Sequence, residues 1–216
     1  MTVITAQEAL QRLREGNARF VANLSGAGAN LRAARRTPAP TVQEPLAIVL
    51  GCSDARVPAE LVFDQGLGDL FVIRVAGNIV APSQVGSVEF AAERFHTRLV
   101  VVLGHSNCGA ILATLEELRR PTADQSRNLR AIVDRVRPSV AGLLEAQGVS
   151  GPHVAASPAD DELVERAVRL NIRASADHLW HGSQVLEQLI QEDGLLVVGA
   201  EYSLETGVVD FFDGVP

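Results

Sequence analysis

The stretch Leu46-Ala47-Ile48-Val49-Leu50-Gly51-Cys52-Ser53-Asp54-Ala55-Arg56 decides how the chain folds. It opens with an unbroken apolar run that ends on Gly51. Such a run has no polar face to offer water, so it reads as a strand buried on both sides, as in a parallel sheet. A thiol, a carboxylate and a guanidinium follow at once, in the pattern Cys-x-Asp-x-Arg. A second run, Leu99-Val100-Val101-Val102-Leu103-Gly104, repeats the arrangement and leads into His105-Ser106-Asn107-Cys108-Gly109. α/β proteins place their chemistry at the carboxyl ends of strands like these.

Working outward, Leu70-Phe71-Val72-Ile73-Arg74 and Leu195-Leu196-Val197-Val198-Gly199 read as two more strands, and 202–212 as an edge strand. Pro58 suits the first turn of a short helix to about Phe63. Ser83 can cap a helix through Phe95, with Val85, Val88 and Ala92 on one face. Further helices are expected over 108–118, 126–146 and 160–190. Strands alternating with helices imply a mainly parallel sheet with helices on both faces.

Before this core, Thr5-Ala6-Gln7-Glu8 is a capping box that opens a helix. Leu10, Leu13 and Phe20 then mark one apolar stripe through about Val21. Residues 25–45 are rich in Gly, Ala, Arg and Pro and read as a long connection. A helix set apart by such an arm packs on a partner subunit or folds back on its own chain. The expected organisation is one domain over 1–216, with a helix and arm over 1–45 and an α/β core over 46–216.

Composition narrows the function classes. The 216 residues carry a formal charge of −7, which argues against nucleic acid or an anionic membrane as the main partner. Arg32, Arg35 and Arg36 precede Pro38 and Pro40 and read as part of a solvated arm. No stretch approaches the roughly 20 apolar residues of a membrane span, and the first residues lack the pattern of a signal peptide. The cytoplasm is therefore the expected compartment. There, a pair of cysteines points to a metal or to catalysis more than to a disulfide.

The two strand-end motifs together hold both cysteines of the chain. With His105 and Asp54, Cys52 and Cys108 form a complete tetrahedral ligand set. The separation of about 50 residues suits two βα units, which would bring the motifs together if their strands are neighbours. Two thiolates and an imidazole favour zinc over magnesium or calcium. With Asp54 as fourth ligand the sphere is closed; with Asp54 paired bidentately to Arg56, a water can take that place. Thiolate donation should make such a water a weaker acid than in a three-histidine site, so activity should rise toward alkaline pH.

Cys-Ser-Asp-Ala-Arg with His-Ser-Asn-Cys-Gly strongly resembles the β-class carbonic anhydrases. The likeness extends from Glu15-Gly16-Asn17-Ala18-Arg19-Phe20, through the segment from Phe63 to Phe71, to Gly199-Ala200-Glu201-Tyr202. The resemblance implies a four- to five-stranded mainly parallel sheet, with N-terminal helices that embrace a partner in a homodimer or a dimer of dimers. It implies Zn2+ on Cys52, His105 and Cys108, with Asp54 as a fourth ligand or the partner of Arg56. It implies that zinc-bound hydroxide attacks carbon dioxide to give bicarbonate. Gln43, the backbone N–H of Gly109, and Phe71 and Phe90 match positions that contact substrate or line its pocket. Val49 stands where the bicarbonate-inhibited type carries Trp. Arg74 and Tyr202 alone leave that inhibitory site incomplete, so the open type is expected. Val75 replaces a common Asn, which puts a side-chain role there in doubt.

Two alternatives stay open at this level: hydrolysis of carbonyl sulfide or carbon disulfide on the same scaffold, and a non-catalytic zinc-binding redox sensor. His178 and His181 read as a solvated pair. His96 and His153 are unassigned, and a proton shuttle among the histidines is not identified.

Overall fold

The computed structural model describes residues 4–24, 41–121, 126–146 and 158–216. Its strands are β1 (Ala47–Gly51), β2 (Leu70–Arg74), β3 (Leu99–His105), β4 (Leu196–Tyr202) and β5 (Val209–Asp213). They form one sheet in the order β2-β1-β3-β4-β5. The first four are parallel, and β5 runs antiparallel to β4. The helices are α1 (Ala6–Leu24), α2 (Ala59–Val62), α3 (Pro82–Arg94), α4 (Gly109–Arg119), α5 (Arg127–Ala146), α6 (Pro158–His181) and α7 (Gln184–Glu192).

The unbroken apolar runs are explained by two cores. Ile48, Leu50, Val100 and Val102 face a core built with α3, α4, α5, α6 and α7. Ala47, Val49, Leu99, Val101 and Leu103 face the opposite core, built with α1 and α2. Successive residues of a strand point to opposite faces, so a strand covered on both sides must be apolar throughout.

α1 begins as its capping box requires, with Thr5 and Glu8 exchanging bonds: the Glu8 N–H donates to Thr5 Oγ1, and the Thr5 N–H to Glu8. Its stripe of Ala6, Ala9, Leu10 and Leu13 lies against the chain's own sheet. At Gly16 the helix comes so close to α2 that a Cβ would sit 1.8 Å from the Phe63 carbonyl oxygen. Asn17 then ties three segments together: its Nδ2 donates to the Val62 and Gly207 carbonyls, and its Oδ1 accepts from the Val209 N–H. The arm over 25–40, with its arginines, lies outside the described residues.

Three local expectations are corrected. The helix expected over 160–190 is two, because Ser183 interrupts it and caps α7 by accepting the Leu186 N–H. α3 starts at Pro82 rather than after a Ser83 cap; Pro fits the first turn, where its missing N–H costs no bond. Tyr202 ends β4 instead of opening the edge strand, which starts at Val209.

Candidate metal centre

β1 and β3 are neighbours, with Gly51 opposite Leu103. The chain therefore leaves both strands side by side at one sheet edge, and the two motifs meet there. The ligand atoms of Cys52, His105 and Cys108 all lie within 4.8 Å of one another, and all three residues are buried. The two Sγ atoms are 4.0 Å apart. Sulfurs held by tetrahedral zinc at about 2.3 Å would stand about 3.8 Å apart, so the spacing fits.

The His105 ring is set for the same purpose. Its Nδ1 lies 2.9 Å from the Ser106 carbonyl oxygen. A carbonyl can only accept, so Nδ1 carries the proton and Nε2 presents its lone pair to the two sulfurs. Nε2 is buried without a hydrogen-bond partner. A buried acceptor left unpaired is costly, and a cation on it would satisfy it. The donor set and its geometry thus fit a soft or borderline divalent ion, zinc foremost.

Local backbone geometry explains the spacing His-x-x-Cys. Asn107 sits in the left-handed region at φ 53°, which Asn tolerates better than most residues. This turn carries the chain from β3 into α4 and makes Cys108 the residue that caps the helix start. The turn is pinned to β4, since Ser106 N–H donates to the Tyr202 carbonyl and Ser106 Oγ accepts from the Leu204 N–H. On the other loop, Arg74 donates from Nε to the Cys52 carbonyl at 3.0 Å and from Nη2 to the Asp54 carbonyl at 2.6 Å. The Gly77 N–H donates to Cys52 Sγ at 3.4 Å.

Asp54 and Arg56 form the bidentate pair. Arg56 Nε reaches Asp54 Oδ1 at 2.9 Å, Nη2 reaches Oδ2 at 2.7 Å, and the Arg56 backbone N–H adds a third bond to Oδ1. The hydrogen bonds from Arg56 hold the Asp54 carboxyl far below the usual carboxylate range. Asp54 Oδ2 still lies 3.8 Å from His105 Nε2, at the rim of the cluster. Burial works against a charged His105, but the Cys52 sulfur beside it and the charge of Asp54 outweigh burial and raise its pKa. Between the sulfurs, the hydrogen bond from Cys108 draws Cys52 toward thiolate and correspondingly pushes Cys108 up.

The other sequence-predicted residues fall in two groups. Gly109 stands at the first position of α4 beside the cluster, and a Cβ there would meet nothing within 4 Å. Gln43, Phe71 and Phe90 lie elsewhere in the protomer. Gln43 is exposed on the segment entering β1, and the length of that strand, about 16 Å, separates it from Cys52. Phe71 is opposite Ile48 near the start of β2 and packs with Phe90 and Phe95 at ring separations of 6.2 and 6.0 Å. Phe90 is half exposed. Val49 is buried in the core toward α1, and Tyr202 lies opposite His105 with its ring 6.4 Å from that of Phe20.

His96 is exposed near the opposite edge of the sheet. His178 and His181 are exposed on α6, the latter 3.6 Å from Asp177. His153 lies outside the described residues. Sequence reasoning missed the clamp of Arg74 and the amide of Gly77. The Gly77-Asn78 pair, in the turn that follows β2, was the available signal.

Fold and site define an α/β protein with a Cys₂His cluster that could hold a metal at the carboxyl ends of its central strands, and a carboxylate held at the rim of that cluster. The carbonic anhydrase family model matches residues 47–209. A carbonic anhydrase of Mycolicibacterium smegmatis is 37% identical over 94% of this chain and 91% of its own length. Carbonic anhydrase 2 of Mycobacterium tuberculosis is 36% identical over 92% and 89%. Among solved structures, the β-carbonic anhydrase CafA of Aspergillus fumigatus superposes with a TM-score of 0.67 at 28% identity, covering 81% of this chain and 78% of that one. A tetrameric β-carbonic anhydrase of Sordaria macrospora gives 0.65 at 25% identity, covering 79% and 82%. The chain belongs to the β-class carbonic anhydrases, enzymes that reversibly hydrate carbon dioxide to bicarbonate and a proton. No helix among the described residues is long and apolar enough to cross a membrane.

Proposed function

We propose that this carbonic anhydrase works in the open form: Cys52, His105 and Cys108 hold zinc, while Arg56 keeps Asp54 off the metal. The observation that carries this reading is the bidentate Asp54–Arg56 contact at the rim of the cluster. When bound, zinc supplies a Lewis acid that makes water acidic enough to attack carbon dioxide near neutral pH. Asp54, fixed as an ionised acceptor, takes a hydrogen bond from the attacking water and orients it. The Gly109 N–H, at a helix start where no intrahelical acceptor exists, can donate to a substrate oxygen. Nothing in this geometry favours carbonyl sulfide or carbon disulfide over carbon dioxide.

Gln43, Phe71 and Phe90 cannot serve the cluster of their own protomer from where they stand. All three lie away from the edge that holds the metal ligands, and Phe90 offers an exposed ring. We therefore assign them to the site of a second copy in a homodimer, which larger assemblies can pair again. The two buried free thiols suit a reducing compartment and support a cytoplasmic location.

Stopped-flow hydration of carbon dioxide, with zinc content measured on the same sample, tests the reading. Full zinc occupancy with no rate above buffer would overturn it. Mixing Gln43→Ala and Cys52→Ser chains tests the shared site. If substrate contacts cross between copies, one site of the mixed dimer has both residues intact and activity reappears.

A further inference from the structure

The metal ligands come from the carboxyl ends of two strands, β1 and β3, but α6 bears on their setting as well. Residues 76–78 form a single 3-10 turn after β2, with Gly77 in the left-handed region at φ 71°. A Cβ on Gly77 would stand 3.1 Å from the Ala110 Cβ, so the turn is wedged against the start of α4. Its N–H is the one that donates to Cys52 Sγ. Two buried side chains, one helical turn apart on α6, hold this turn from behind. Asn171 Nδ2 donates to the Gly77 carbonyl at 2.8 Å, and Ser175 Oγ donates to the Asn78 carbonyl at 3.0 Å. Both residues are more than nine-tenths buried.

We propose that Asn171 and Ser175 are positioning residues for the metal centre: they hold the 76–78 turn so that the Gly77 amide stays on the Cys52 sulfur. The inference rests on the assignment of Cys52, His105 and Cys108 as metal ligands. A hydrogen bond to a ligating thiolate draws electron density from sulfur and so lessens its donation to the metal. It also fixes the direction of the sulfur lone pairs. Without the two bonds from α6, the turn keeps its packing against α4 but loses its side-chain anchors, and the carbonyls of Gly77 and Asn78 are buried with lost partners. The hydrogen bonds of both α6 side chains go to carbonyls of the turn and not to a ligand, so their influence passes through the amide.

Cobalt(II)-loaded protein provides the readout, since its thiolate-to-metal charge-transfer band responds to hydrogen bonding at sulfur. In Asn171→Leu and Ser175→Ala the band is expected to move to longer wavelength. Metal affinity against a competing chelator should fall by about tenfold or more, because the loss of sulfur orientation outweighs the gain in sulfur donation. Ser175→Thr keeps the hydroxyl and should restore the native band. Leu179→Ala, in the core on the same helix, should lower the melting temperature without moving the band. Should Asn171→Leu fail to fold, the Ser175 pair decides alone. A native band and native metal affinity in folded Ser175→Ala would overturn the proposal, as would an equal shift in Leu179→Ala. Absence of any thiolate band in the parent protein would instead remove the metal assignment, and the proposal with it.

Discussion

Asp54 is within reach of the metal site, and its charge is committed to Arg56. Arg56→Ala frees the carboxylate to swing toward the metal. The expected result is a fall of about 10²-fold in kcat/KM with zinc content unchanged, measured by stopped flow beside metal analysis. Full activity in that variant would mean the pair has no catalytic role. The sign of the pH effect follows from the depressed pKa of Asp54. A carboxyl whose folded pKa is lowered contributes stability above its unfolded pKa and loses it only as pH falls through the folded one. The pair should therefore persist between pH 5 and 9, and the Asp54 carboxyl carbon shift should stay flat across that window in an NMR titration. His105 behaves in the opposite sense. Its pKa is raised in the metal-free fold, so protons compete for Nε2 from above its ordinary range. Zinc retention should weaken as pH drops toward 6, read as zinc released to the dialysate.

At the scale of elements, the N-terminal helix is held by contact geometry rather than by propensity. Gly16 lets α1 lie directly on the Phe63 carbonyl, and Asn17 satisfies backbone groups of α2, of the loop before β5 and of β5 itself. Gly16→Ala would gain helix propensity and lose this fit. Overpacking costs typically 1–3 kcal/mol, and here the obstacle is backbone, so destabilisation of about 2–3 kcal/mol is expected in urea unfolding. A variant as stable as the parent would show that α1 docks more loosely than the structure places it. The capping box, the strand ends and Pro58 were readable because they are local signals. The break at Ser183 was local too, but the apolar pattern running through it masked the signal. The purpose of Gly16-Asn17 was hidden, because its partners lie 45 and 190 residues away.

At the scale of the molecule, one sheet serves as both core and scaffold. Four parallel strands send their carboxyl ends to one edge, and the cluster joins the loops of β1 and β3 there. Removal of zinc by a chelator should abolish activity and lower the melting temperature by several degrees, since a ligand that binds only the folded state stabilises it. The core toward α1 and α2 contains none of the three ligands, and the other core is built mostly of aliphatic side chains, so the far-UV circular dichroism should stay native. Loss of the whole spectrum would show that zinc is required for folding.

The sequence by itself determined the parallel sheet, the strand ends that carry the chemistry and the donors that meet there. These follow from periodicity and ligand chemistry, both written along a few neighbouring residues. Only the tertiary structure decided that Gln43, Phe71 and Phe90 stand away from their own cluster, that Arg74 clamps the Cys52 loop, and that α6 steadies the amide on its sulfur. Each depends on which distant segments the sheet order makes neighbours, and no local pattern records that order.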